Sequence, residues 1–151
     1  MDYLLDSNII IIYSRDDVIS ERIEKQYQLF NGNHRLAISI ISIGEIEASI
    51  LKMGLGEKRT AKIRQLINGL TEFGINFKEV IAKYAEIDAY SQGKIKGGKF
   101  SARNMGKNDI WIAATASNFD LKLVTTDKDF DHLKGEYIDL EYISLEEIRN
   151  Q

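Results

Sequence analysis

Five acidic residues stand at positions in the sequence where a catalytic site could form. Asp6 closes the first predicted strand, Glu45 follows the second, and Asp127 closes the strand LKLVTT. Asp109 begins an apolar segment, KNDIWIAATA, that leads into that strand, and Asp129 is a further candidate two residues beyond Asp127. Proteins with a parallel α/β sheet bind their ligands at the edge of the sheet where the strands end. We therefore expect these carboxylates to converge at that edge.

Each acid also has a purely structural interpretation. Asp6 can cap a turn, Glu45 can complete a helix capping box, and Asp127 can be an ordinary turn residue. Asn108 or Asp109 can cap the helix that follows, since a side-chain oxygen there accepts a backbone N–H and a negative charge meets the positive end of the helix dipole. For any one acid taken alone, both interpretations stay open.

The acids taken together favour a metal site. Four carboxylates at one edge would repel each other and lose hydration unless a cation held them together. Oxygen ligands are those that Mg²⁺ or Mn²⁺ prefers, and the sequence offers no cysteine and no paired histidine to suggest zinc. A carboxylate-bound divalent ion beside a cationic segment is the chemistry of phosphodiester hydrolysis.

Such a cationic segment spans residues 94–107. It carries five basic residues and no acid, although the whole chain has a net charge of −3. Its glycines suggest a mobile loop whose cations follow a phosphate backbone, while a solvated loop that maintains solubility is the open alternative. The candidates for contacts with the phosphate backbone are Lys96, Lys99, Arg103 and Lys107.

Short strands alternate with helices along the chain, which predicts an α/β fold with a mostly parallel sheet. The run Ile9 to Ile12 either extends the first strand or begins the packing face of the next element. Strands are predicted at residues 3–5, 36–40, 121–125 and 138–143. Helices are predicted at residues 16–30, 57–73 and 78–91, in the segment 107–116, and from a capping box at Ser42 to Glu45 as far as Gly54.

Length and composition fit one globular domain over residues 1–151. The chain is 44% hydrophobic and has no internal repeat or linker that would divide it. The absence of cysteine excludes disulfides and predicts a reducing, cytoplasmic location. The start MDYLLDSN is acidic where a secretion signal is basic, and no apolar run approaches the ~18 residues that a membrane span requires.

The stretches around the acids also resemble a known family. LLDSNIII, SIISIGEIEAS, GKNDIWIAATAS and LVTTDKDF look like the successive acidic motifs of the PIN-domain nucleases, in the subgroup of VapC-like toxins of toxin–antitoxin pairs. The resemblance covers nearly the whole chain and implies a PIN-like three-layer sandwich. One departure is visible, because residues 101–106 read SARNMG where such proteins commonly have a Gly-Arg-Pro turn. The loop before Asp109 is therefore expected to differ in shape.

The resemblance implies a role for each acid. Asp6 and Asp109 would be the direct ligands of Mg²⁺ or Mn²⁺, and Glu45 and Asp127 would complete the catalytic set through water or a second ion. The additional candidates are Asp129, Ser7 and Asn8, with Thr125 and Thr126 as support from the strand end. The implied reaction is endonucleolytic hydrolysis of RNA that leaves a 5′ phosphate and a 3′ hydroxyl, and the residues proposed above for phosphate contacts become RNA-binding residues.

The implied partners are an RNA substrate, a cognate antitoxin and a second copy of the chain. A homodimer would use the predicted helices of residues 57–91, which carry an apparent surplus of apolar positions in Leu66, Leu70, Tyr84 and Ile87. A catalytically silent module that binds RNA or protein is the alternative, although it gives no reason for so many acids. A phospho-acceptor receiver domain lacks the required mid-chain aspartate, and the isolated His34 and His132 suggest no nucleophile.

Overall fold

A five-stranded sheet with the order β3-β2-β1-β4-β5 forms the centre of the fold. The computed structural model describes residues 2–15, 17–95 and 102–151. The strands are β1 (Asp2–Leu5), β2 (Arg35–Ser39), β3 (Thr71–Phe73), β4 (Lys122–Thr125) and β5 (Asp139–Tyr142). Every pairing between these strands is parallel, which confirms the predicted α/β architecture.

Seven helices and a short 3-10 helix accompany the strands in the described part of the chain, and the last helix follows the last strand. They are α1 (Ser7–Tyr13), α2 (Val18–Tyr27), α3 (Ile40–Met53), α4 (Glu57–Asn68), α5 (Lys78–Ser91), α6 (Lys107–Asn118), the 3-10 helix (Lys128–Leu133) and α7 (Leu145–Arg149). Within residues 2–15, 17–95 and 102–151, no helix combines the length and apolarity needed to cross a membrane.

Helices cover both faces of the sheet. Successive strand residues point to opposite faces, so Leu4 joins one buried cluster and Leu5 the other, and Leu123 and Val124 divide in the same way. Buried residues of α5 and α6 complete the first cluster, while those of α1 to α4 and α7 complete the second. The resulting three layers are those expected of a PIN-like sandwich.

The run Ile9 to Ile12 lies within helix α1 and does not extend β1. The carboxylate of Asp6 accepts the N–H of Ser7 and caps α1, which ends the strand within one residue. The apolar run then faces the second cluster from α1, where Ile9 is fully buried. The backbone N–H of Asp6 still donates to the carbonyl of Val124 at 3.0 Å, so the cap stays fixed to β4.

Most of the predicted element boundaries shift by one to three residues, and two of the differences change how an element begins or what it is. Helix α3 begins at Ile40 because the Ser39 side chain caps it, so the predicted capping box at Ser42 and Glu45 lies inside the helix. The predicted helix of residues 57–73 ends at Asn68, and the last three of those residues form β3. Phe73 continued the helical spacing of apolar residues, but it pairs with Ser39 at the edge of the sheet.

The apolar surplus predicted for residues 57–91 is also wrong at the residues that suggested it. Leu70 and Ile87 are buried, and Leu66 and Tyr84 pack against the two buried clusters. Tyr84 lies over Trp111 of α6 with the ring centroids 4.1 Å apart. Leu70 and Ile87 are thus buried within one chain, Leu66 and Tyr84 are partly buried, and the homodimer stays a prediction.

Candidate active site

Asp6 is held by hydrogen bonds to both of its carboxylate oxygens. The side chain is nearly buried, and its Oδ1 accepts the backbone N–H of Ser7 at 2.8 Å. Its Oδ2 accepts the Oγ1 hydroxyl of Thr125, the last residue of β4, at 2.7 Å. Two neighbouring strands of the sheet thus fix the position of one carboxylate at the edge where they end.

Asp109, Asp127 and Asp129 form a compact group at the same edge. One carboxylate oxygen of each residue lies within 4.8 Å of those of the other two. The turn after β4 directs two of these acids, because the N–H of Asp127 donates to Oγ1 of Thr125 at 3.0 Å and the N–H of Asp129 donates to Oδ1 of Asp127 at 2.9 Å. Thr125 therefore connects this group to Asp6.

Asp109 is not the cap of α6. Gly106 occupies the N-cap position without any side-chain hydrogen bond, and Asp109 lies in the first turn. The expectation that Asn108 or Asp109 caps this helix is therefore wrong. The Asp109 carboxylate is left free of a capping role and faces the other acids.

Glu45 adjoins the acidic group from α3. The Oγ hydroxyl of Ser7 donates to Oε1 of Glu45 at 3.3 Å, so Ser7 contacts two of the predicted catalytic acids, Asp6 through its backbone and Glu45 through its side chain. Two buried atoms on the adjoining helices, Oδ1 of Asn8 and Oγ of Ser42, form no hydrogen bond with the described residues. The assignment of individual roles to these side chains stays a prediction.

The electrostatics of the group oppose simultaneous ionisation. Burial raises the pKa of Asp6 to about 6, against hydrogen bonds from Thr125 and Ser7 that lower it, and the charges of Glu45 and Asp127 raise it further. Burial and then the charge of Asp6, followed by the other acids, raise the pKa of Asp109 to about 7. A nearby positive charge would therefore be needed to keep all of the carboxylates ionised at neutral pH.

Part of the predicted RNA-binding segment leads into α6, the helix that carries Asp109. Arg103 and Lys107 are exposed, and Lys107 begins α6 two residues before Asp109. The backbone N–H of Arg103 donates to the carbonyl of Ser91 at 2.6 Å, which attaches this end of the segment to α5. Lys96 and Lys99 lie outside the described residues, so their contacts stay predictions.

His132 is not isolated, contrary to the sequence-based expectation. Its Nε2 lies 2.8 Å from Oγ of Ser91, and its ring is parallel to that of Tyr90. Ser91 is 1% exposed, which leaves its hydroxyl no access to a substrate. Ser91 also contacts the sulfur of Met105, so the pair joins α5 to the 3-10 helix and to the segment before α6 and has no nucleophilic role.

The donor set fits a divalent cation such as Mg²⁺ or Mn²⁺. Carboxylate oxygens are the hard ligands that these ions prefer. None of the clustered acids forms an ion pair with another residue in the described ranges, so no lysine or arginine of those ranges relieves their repulsion by direct pairing. The receiver-domain alternative finds no support, because Gly74 and not an aspartate follows β3.

Comparison with protein families identifies the fold. The model of the PIN domain matches residues 3–136, and the chain therefore belongs to the PIN-domain family, whose members are nuclease-type hydrolases. This confirms the resemblance drawn from the acidic motifs. Comparison with curated proteins yields no match.

Solved structures of VapBC complexes have a similar fold. VapBC2 from Rickettsia felis, bound to a DNA fragment from its promoter, matches with a TM-score of 0.72 and 21% identity over 95% of this chain and 100% of that chain. DNA-bound VapBC from Salmonella typhimurium matches with a TM-score of 0.66 and 20% identity, over 94% and 98% of the two chains. VapBC-1 from nontypeable Haemophilus influenzae matches with a TM-score of 0.63 and 24% identity, over 94% of this chain and 98% of that chain. At these identities, the shared feature is the fold.

Proposed function

We propose that this PIN-domain protein is a divalent-metal-dependent endoribonuclease that acts in the cytoplasm as the toxin of a toxin–antitoxin pair. The observation that carries the proposal is the cluster of acids at the carboxyl edge, which no lysine or arginine of the described residues neutralises. The likeness of the fold to VapBC complexes supports an antitoxin as the partner. The whole chain, residues 1–151, is proposed to be one PIN domain, and the active form is proposed to be a homodimer.

The metal site is proposed to use Asp6 and Asp109 as ligands, with Asp127 and Asp129 beside them. Mg²⁺ or Mn²⁺ bound there would lower the pKa of an attacking water and would stabilise the negative charge that develops on the departing 3′ oxygen. Thr125 and Ser7 hold the Asp6 carboxylate in one orientation by hydrogen bonds. Because these donors lie on rigid elements, the carboxylate needs no rearrangement before reaction.

Glu45 and the basic residues are proposed to act on the substrate. Glu45 completes the acidic pocket and is oriented by the hydroxyl of Ser7. Arg103 and Lys107, together with Lys96 and Lys99, attract the RNA backbone, whose charge the acids alone would repel.

The test is cleavage of a labelled single-stranded RNA by the purified chain with and without Mn²⁺. We expect cleavage only with the ion, and we expect Asp109→Asn to reduce the rate about a hundredfold or more. Asp139→Asn is the matched control, since Asp139 lies at the opposite edge of the sheet and should leave the rate unchanged.

The products provide a second criterion. Hydrolysis by this mechanism leaves a 5′ phosphate, which makes the downstream fragment a substrate for a 5′-phosphate-dependent exonuclease. Cleavage that proceeds equally well in EDTA, or that Asp109→Asn does not slow, would contradict the proposal.

A further inference from the structure

A groove beside the acidic group follows one face of α3. Its volume is about 520 Å³, and Glu45 and Asn108 connect it to the acids, since Asn108 directly precedes Asp109. Lys52, in the last turn of α3, lies at one end of this face. The lining residues of this α3 groove are Ile40, Ile41, Gly44, Glu45, Ala48, Ser49, Lys52 and Asn108.

The α3 groove is shaped for close approach by an extended chain. Gly44, Ala48 and Ser49 recur at helical spacing and present little side chain, and a Cβ built on Gly44 would meet no atom within 4 Å. Ile40 is 51% exposed at the other end of the face, where it offers an apolar surface to a base. The groove therefore combines an open floor with one apolar end and one cationic end.

Lys52 is available to bind an anion. It is exposed and forms no ion pair with any described residue. Its neighbour on the same helix, Glu47, is instead paired with Arg64 of α4 through two hydrogen bonds. An anionic strand that passes the acids is repelled by them, and among the described residues that line the groove Lys52 is the cation that can offset this repulsion.

We propose that the α3 groove holds the RNA strand on one side of the scissile bond, with Lys52 binding a phosphate away from the reaction centre. The proposal rests on the nuclease function proposed above and adds the path of the substrate. At a rise of 1.5 Å per residue, Lys52 lies ~10 Å from Glu45 along the helix axis. At the ~3.4 Å axial spacing of phosphates in one duplex strand, that span corresponds to about three stacked nucleotides.

The path predicts an effect that depends on RNA length. Binding is measured by fluorescence anisotropy with an oligouridylate dinucleotide and with an octanucleotide, in an Asp109→Asn background that prevents cleavage. Lys52→Ala should weaken octanucleotide binding on the order of fivefold at about 50 mM salt and reduce the salt slope by about 0.7, the contribution of one phosphate contact with a single strand. Dinucleotide binding should not change, because the shorter ligand does not reach Lys52.

The matched control is Lys25→Ala. Lys25 is likewise an exposed lysine in the last turn of a helix, α2, but it lines no part of the α3 groove. The Lys25→Ala substitution removes the same charge as Lys52→Ala. If both variants weaken octanucleotide binding equally, the effect reflects net charge and the proposal is overturned. Lys52→Arg should restore octanucleotide binding, since it restores the cation.

The remaining outcomes separate this inference from the proposed function. If the wild-type chain neither binds nor cleaves RNA, the nuclease proposal itself fails. If the wild type cleaves RNA but Lys52→Ala binds the octanucleotide as tightly as its parent, only the path along α3 is wrong. A change in sedimentation without a change in RNA binding would make the groove an interface between copies of the chain and would also overturn the inference.

Discussion

At the amino edge of the sheet, where the strands begin, Asp2 pairs with Arg35 at 3.2 Å and Asp139 with Lys122 at 3.9 Å. The acids there are about half exposed to solvent. At the carboxyl edge, Asp6 is buried and the neighbouring acids form no ion pair with any described residue. The same strands β1 and β4 contribute to both edges, so the difference arises from side-chain choice and not from the architecture.

The contrast distinguishes acids that are paired at the surface from acids to which the proposed function assigns chemistry. Exposed pairs contribute little to stability and need no further ligand. Clustered carboxylates removed from water raise the free energy of the fold unless a cation binds them. A cluster of unpaired acids is thus a better indicator of function than exposed ion pairs are. Four predictions test this difference between the two edges of the sheet.

The largest expected effect is stabilisation by the metal. Mn²⁺ at a hundredfold excess over its Kd should raise the free energy of unfolding of the wild type by about 2.7 kcal/mol, because the ion binds the folded state alone. Asp109→Asn should abolish this gain, whereas Asp139→Asn should retain it. Thermal unfolding of the three proteins, monitored by circular dichroism with and without Mn²⁺, measures the stabilisation. Equal stabilisation of the wild type and Asp109→Asn would contradict the metal-site assignment.

The second effect concerns pH in the presence of EDTA. The folded-state pKa values of Asp6 and Asp109, about 6 and about 7, exceed the ordinary value of 3.8, so the folded protein binds more protons than the unfolded chain between these limits. Stability should therefore fall as pH rises from about 4 to about 7 and level off above. Asp109→Asn should be more stable than wild type at pH 8 by on the order of 1 kcal/mol, after allowance for the solvent exposure of Asp109.

Urea unfolding at several pH values measures this difference. At pH 3 the two proteins should converge, because a protonated aspartic acid and an asparagine are then similarly neutral. A wild type that gains stability as pH rises would contradict the assigned direction of the pKa shifts.

The third effect tests the amino edge. Arg35→Ala should lower the free energy of unfolding by less than about 1 kcal/mol, because its partner Asp2 stays hydrated when the pair is lost. The loss should shrink further at high salt, and the stabilisation by Mn²⁺ should be unchanged. A loss of several kcal/mol would show that the two edges do not differ as described.

The fourth comparison concerns two buried serines, Ser39 at the N-cap of α3 and Ser42 within the helix. Ser39 caps the helix by accepting the N–H of Ile41, so Ser39→Ala should cost about 1 kcal/mol. The hydroxyl of Ser42 has no hydrogen-bond partner among the described residues, so Ser42→Ala should be close to neutral. Chemical denaturation of both variants measures their free energies of unfolding. A larger loss of stability for Ser42→Ala than for Ser39→Ala would indicate that the Ser42 hydroxyl has a hydrogen-bond partner.

Local pattern was sufficient to predict most of the fold. The alternation of strands and helices predicted the parallel sheet, and the bounds predicted for α5 are those observed. Strand β3 was missed because it has three mostly exposed residues at an edge of the sheet, and its apolar Phe73 also fits helical spacing. Its strand character comes from pairing with β2, which is a contact that no local pattern reports.

The candidate acids Asp6, Glu45 and Asp127 could be proposed from the sequence because they follow strand ends, but their environment could not be predicted. The hydrogen bond from Thr125 to Asp6 joins residues far apart in sequence. Ser42 and Glu45 matched a capping box, yet Ser39 ends β2 and caps α3 instead. Lys52 gave no signal in the sequence, since its place at the end of the α3 groove depends on how α3 and α6 pack.

The central position of β1 determines when the site can exist during protein synthesis. Asp6 leaves the ribosome 119 residues before Thr125, whose hydroxyl orients it. Pairings between such distant segments form late in folding, and a domain folds as its chain emerges. For the proposed nuclease, most of the nascent chain is therefore inactive, and the ribosome that makes it is not exposed to a finished active site until β4 and the turn behind it have been translated.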